Sequence, residues 1–148
     1  MNNEVVILMA EDDPGHAELI RRNLGRGGIA NKILHFNDGQ DIIDYLYKRG
    51  DGPVRQSGAS YVLLLDIRMP KLDGLEVLAQ MKTDPELRKI PVTMITTSND
   101  PRDVERCYAL GCSSYIVKPS AYNGFINAIR HLGLYLAVVE VPQTYGEN

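Results

Sequence analysis

Cysteine is scarce in this chain, paired histidines are missing and no long apolar run occurs, and each lack removes a class of protein. Two cysteines stand in 148 residues. Cys107 and Cys112 form no C-x-x-C motif, and a spacing of five on a helix would point them to different sides, so they read as two reduced packing thiols. His16, His35 and His131 are scattered without an H-x-x-x-H pair, which argues against a zinc site. No apolar run reaches the ~18 residues that span a bilayer. The start Met1-Asn2-Asn3-Glu4 carries no basic leader. These features lead to the expectation of a cytoplasmic protein with no membrane partner. The net charge is -3 and the pI about 5.6, with Lys and Arg dispersed rather than gathered into a stripe, so no nucleic-acid partner is expected. Internal repeats and low-complexity tracts are absent as well.

What is present is enough for one core. At 44% hydrophobic residues the chain fits one ordinary domain and leaves no room for a second of normal size. Short β-rich runs at Val5–Ala10, Lys32–Phe36, Tyr61–Leu65, Val92–Thr96 and Ser114–Val117 alternate with segments of helical period. Runs such as Tyr61-Val62-Leu63-Leu64-Leu65 suit strands covered on both faces, which predicts an α/β fold with a parallel sheet between two helical layers. Asp13-Pro14 and Asp100-Pro101 each place a capping acid before a proline at the first helical position. Asp73-Gly74 opens a third helix, and the last helix is expected from near Ser120. Residues 50–60 are rich in turn formers and long for a connection, so a mobile surface loop is expected there.

The polar residues then fall into a pattern. Glu11, Asp12 and Asp13 follow the first apolar run directly, and adjacent charges about 4 Å apart repel by roughly 4 kcal/mol at an effective dielectric near 20. Such a cluster needs water, a cation or a helix end. In an open parallel sheet ligands bind outside the carboxyl ends of the strands. Asp66 ends the third strand run, Thr96 the fourth and Lys118 the fifth. Separate loops can therefore bring carboxylates, a hydroxyl and an ammonium into one cleft. Two carboxylates suit Mg²⁺, which keeps waters that a phosphate oxygen can replace, and a third carboxylate can attack phosphorus. On this reading Glu11 and Asp12 hold Mg²⁺, Asp66 attacks, Thr96 donates to the phosphoryl group and Lys118 contacts it. Asp13 instead caps the helix begun by Pro14.

Over residues 4 to 138 the chain resembles a two-component response regulator receiver domain. The resemblance is carried by Glu11-Asp12, by Leu64-Leu65-Asp66-Ile67-Arg68-Met69-Pro70 followed by Asp73-Gly74, by Ile95-Thr96-Thr97 and by Tyr115-Ile116-Val117-Lys118-Pro119. It implies a single-domain, flavodoxin-like (βα)5 doubly wound sheet of strand order 2-1-3-4-5, an order familiar from receiver proteins. It also implies Mg²⁺-dependent transfer of a phosphoryl group to Asp66 from a sensor histidine kinase. The metal would further be held by the main-chain carbonyl of Arg68. The peptide before Pro119 would be cis. Thr96 and Tyr115 would form the switch, with Tyr115 turning inward when Asp66 is phosphorylated. Arg68 and Ser98 flank the acceptor where family members vary.

The long second loop, the segment 96–108 and the apolar C-terminal extension are most similar to stand-alone regulators paired with phytochrome-type kinases. Residues 139–148 read as a tail with no output domain, so the protein is expected to be a phosphoacceptor signalling protein rather than an enzyme. It would serve as a terminal switch or as a relay to a histidine phosphotransfer protein. Leu134, Tyr135, Val138 and Val141 fall outside the buried stripe of the last helix, and a homodimer through the fourth and fifth helices, the fifth strand and this extension is weighed equally against an intramolecular cover or frayed tail. A flavodoxin-like cofactor binder would need a phosphate-cradling loop where the acids stand. A phosphatase of the haloacid dehalogenase type would want an acid at Arg68.

Overall fold

The computed structural model describes residues 1–2, 4–118 and 122–146. Five strands, β1 (Val6–Ala10), β2 (Ile33–Phe36), β3 (Tyr61–Leu65), β4 (Val92–Thr96) and β5 (Ser114–Val117), alternate with helices α1 (Pro14–Arg26), α2 (Gly39–Leu46), α3 (Gly74–Thr83), α4 (Pro101–Ala109) and α5 (Tyr122–Val138). All strand pairs are parallel, in the order β2-β1-β3-β4-β5. This is the doubly wound, flavodoxin-like sheet that the sequence predicts. The expected helix start near Ser120 and the expected cis peptide at Pro119 lie outside the described residues.

Alternation along the strands sorts the core into two layers. Leu8, Leu63, Leu65, Val92 and Met94 face a layer completed by Ile42, Leu46, Leu78 and Cys107, whereas Ile7, Met9, Val62, Leu64 and Ile95 face Ile20, Leu24, Phe125 and Ile129. Every residue of β3 is buried. A central parallel strand has helices on both faces, so both sets of its side chains need apolar cover. Cys107 and Cys112 are free and buried, but in the same layer. Cys112 lies past the end of α4, where the helical spacing that would have separated them no longer applies.

Helix starts set the geometry at the top of the sheet. Asp13 Oδ1 accepts from the amides of Gly15 and His16 at 2.8 and 3.1 Å, and Asp100 Oδ1 accepts from Arg102 at 2.9 Å. Asp73 and Glu76 form a reciprocal capping box. Between the third strand and α3 the backbone passes so close that a β-carbon at Gly74 would stand 2.1 Å from the carbonyl oxygen of Asp66. Gly39 meets Leu72 in the same way, at 1.9 Å.

The C-terminal segment folds back across the base of the sheet. Val139 and Val141 pack half-buried against the α1/α5 layer. Gln143 bridges Ser60, and Thr144 is buried with its amide donating to Ala59 O at 2.8 Å and its carbonyl accepting from Gly58 at 2.7 Å. Arg55, only 1% exposed, donates to Leu46 O at 2.7 Å and to Tyr145 O at 2.9 Å. The loop expected to be mobile is therefore anchored at Arg55 and at 58–60, because a buried guanidinium and an added strand bridge supply the partners that its turn-forming residues do not advertise. Val141 likewise belongs to intramolecular cover.

Gly74→Ala should lower stability by about 1–3 kcal/mol, because the added carbon forces the backbone at Asp66 to move. A urea melt with an unchanged midpoint would contradict this account of the β3–α3 junction.

Candidate functional site

The C-terminal ends of β1, β3, β4 and β5 converge on one cleft. Glu11 leaves β1 with its amide donating to Phe36 O at 3.0 Å and its carbonyl oxygen 2.6 Å from His35 Nε2. Asp66 leaves β3 with its amide donating to Ala10 O at 3.1 Å. These main-chain bonds set both acids side by side. Carboxylate oxygens of Glu11, Asp12 and Asp66 lie within 4.8 Å of one another, with Asp12 exposed and the other two buried. Among the described residues no other cluster of three or more such side chains could hold a metal ion.

Lys118, buried at the end of β5, closes the cleft. Its Nζ donates to Glu11 Oε1 and, at 2.9 Å, to Asp66 Oδ2. Thr96, fully buried at the end of β4, accepts the Lys118 amide on its carbonyl at 2.7 Å, and its Oγ1 accepts the Ser98 amide at 3.3 Å. The Arg68 amide donates to Asp66 Oδ1 at 3.3 Å. Tyr115 is half-buried, its hydroxyl donating to Ser98 O at 2.8 Å, while Ser98 Oγ donates to Asp103 of α4 at 2.7 Å. Ser98 thus joins the β4 end to β5 and α4. His16 is a member that sequence reasoning missed: its Nδ1 lies 3.0 Å from Lys118 Nζ. The available signal was its place in the first turn of α1, which the Asp13 cap holds at the rim of the cleft.

The model for the response regulator receiver domain matches residues 7–130. The chain belongs to that family. A receiver domain from Rhodospirillum rubrum superposes with a TM-score of 0.89 at 42% identity, covering 95% of this chain and 99% of the other. Response regulator Rcp1 of Synechocystis is 30% identical over 142 residues, 95% of each chain, and its Mn²⁺-bound form superposes with a TM-score of 0.82 over 93% of this receiver and 98% of that chain. The bacteriophytochrome response regulator RtBRR is 41% identical, with a TM-score of 0.72 over 93% and 83% of the two chains. No helix of the described receiver is long and apolar enough to cross a membrane.

The electrostatics of this receiver site favour a cation. Burial is the largest influence on Glu11 and pushes its carboxyl up to about 7; the Lys118 hydrogen bond opposes the rise and the Asp66 charge adds to it. For Lys118, burial works against the charged form, but the Glu11 and Asp66 carboxylates outweigh it and hold the ammonium above its usual range. Three oxygen donors crowded against one ammonium leave negative charge only partly balanced. A hard divalent ion fits such a donor set, with open positions left for water or phosphate.

A raised Glu11 means that the folded protein holds a proton the unfolded chain releases. Its contribution to stability is present below about 4.5 and is lost as pH rises through about 7. Measured in chelator, wild type should lose up to ~3 kcal/mol relative to Glu11→Gln across that window. Mg²⁺ affinity should rise over the same range, as the carboxyl gives up its proton. Parallel stability curves for the two proteins would refute the assignment.

Proposed function

We propose that this receiver accepts a phosphoryl group on Asp66 from the phosphohistidine of a sensor histidine kinase, with Mg²⁺ required, and thereby acts in a cytoplasmic phosphorelay. The observation that carries the reading is the shared hydrogen bonding of Lys118 to Glu11 and Asp66 inside a three-carboxylate cluster. In the transfer an Asp66 oxygen attacks phosphorus, the P–N bond breaks, and its electron pair leaves with the imidazole. Lys118 moves its contacts from carboxylate to the incoming phosphoryl oxygens, and the Thr96 hydroxyl donates to another. Glu11, Asp12, Asp66 and the Arg68 main-chain carbonyl would hold the Mg²⁺, which supplies charge neutralisation for those oxygens when bound. The Mn²⁺-bound form of Rcp1 supports a divalent ion in this setting.

Recruitment of Thr96 gives the switch a route. Its Oγ1 contact with Ser98 must loosen, and Ser98 in turn holds Tyr115 and Asp103, so Tyr115 and the start of α4 respond together. The similarity to Rcp1 and RtBRR supports a phytochrome-type kinase as partner. The signalling face is formed by α4, β5 and α5. Exposed Tyr108, Val117, Leu134, Tyr135 and Val138 make it apolar, which supports a homodimer through this face.

With Mg²⁺ and a small phosphodonor, wild type should gain one acid-stable, base-labile phosphate and Asp66→Asn none; equal labelling of the variant would overturn the site. In sedimentation, Val138→Asp should shift the protein toward monomer. A wild type that stays monomeric at high concentration, with and without phosphorylation, would defeat the dimer.

A further inference from the structure

The ammonium of Lys118 has three N–H bonds, and three acceptors meet them: Glu11 Oε1, Asp66 Oδ2 at 2.9 Å and His16 Nδ1 at 3.0 Å. An ammonium only donates, so Nδ1 carries no proton in this contact and the ring hydrogen sits on Nε2. The two carboxylates have other duties in the function proposed above. Both belong to the acidic cluster, and Asp66 is the atom source for the new P–O bond. His16 shares neither duty. It is an acceptor on α1 that lies outside the acidic cluster.

The ring is itself held in place. The His16 amide donates to the Asp13 cap at 3.1 Å, and Phe125 of α5 meets the ring edge-on with centroids 5.7 Å apart at 70°. A side chain on a helical turn, wedged by a second helix, is a stiffer support than a loop.

We propose that His16 is a positioning residue for phosphoryl transfer, using unprotonated Nδ1 to fix one N–H of Lys118 so that the remaining two stay aimed at Asp66 and the phosphoryl oxygens. The role rests on the reading of Asp66 as phosphoacceptor. Its expected signature is a loss of transfer rate without a loss of metal binding, because His16 donates nothing to the cation.

The test measures initial phosphorylation by a small phosphodonor, Mg²⁺ affinity and ring ¹⁵N shifts. His16→Leu should be slower by about tenfold, short of the roughly hundredfold that misplacing a reacting group by about 1 Å can cost. Its Mg²⁺ affinity should match wild type. His16→Asn, whose Oδ1 stands where Nδ1 does, should recover most of the rate. In the wild type near pH 8, His16 should show the Nε2–H tautomer. Equal rates for His16→Leu and wild type, no recovery in His16→Asn, or an Nδ1–H tautomer would each overturn the role. Should His16→Leu fail a thermal-melt check of folding, the Asn variant and the tautomer decide. A wild type that takes up no phosphate, or an Asp66→Asn variant labelled as heavily, defeats the phosphoacceptor reading and this role with it; a labelled wild type with an equally fast His16→Leu defeats the role of His16 alone.

Discussion

The ammonium of Lys118 is where the ends of β1, β3 and β5 are joined, since it reaches Glu11 and Asp66 at once from the last strand of the sheet. Burying that charge is costly unless it is paired, and burying two acids beside it is costly for the same reason. The sheet order removes the difficulty. β1 and β3 are neighbours, so their first loop residues emerge side by side, while β4 supplies the Thr96 carbonyl that holds the Lys118 backbone. The result is a set of partly balanced charges, in which each group is stabilised by partners that a phosphoryl group and a cation can also claim. For the proposed transfer that is a favourable starting state, because the resting contacts order the cleft with groups that the incoming partners can engage.

Much of this was legible in the amino-acid sequence because it rests on local rules. The limits of β3, β4 and β5 match the apolar runs residue for residue, and β1 and β2 begin one residue later than expected. Asp13 and Asp100 signal their helices by the proline that follows each, and the acids, Thr96 and Lys118 are visible as polar residues at strand ends. What escaped depends on pairs far apart in the chain. The Thr144 bond to Ala59, the Arg55 bond to Tyr145 and the His16 contact with Lys118 leave no periodic trace, and an arginine in a turn-rich loop ordinarily reads as solvated. Helical spacing misled for Cys112 because the helix stops before it.

Functional and structural demands meet at Gly74. The β3–α3 connection loops out and returns Gly74 to the backbone of Asp66 and Ile67, an approach of backbone to backbone that leaves no room for a side chain at that point. The same economy of space recurs where Gly39 meets Leu72, so α2 and α3 both begin against the loop that follows Asp66. The loop is thereby gripped from two sides, and the amide of Arg68 faces the Asp66 carboxylate.

The fold-back of residues 139–146 gives α5 unequal ends. Its C-terminal end runs directly into a segment stitched to Gly58, Ala59 and Arg55, whereas its first described turns carry Phe125, which leans on His16 at the rim of the cleft. One helix thus spans the molecule from base to rim, so the tail that closes the bottom of the sheet and the ring that abuts the acidic cleft share a single rigid element.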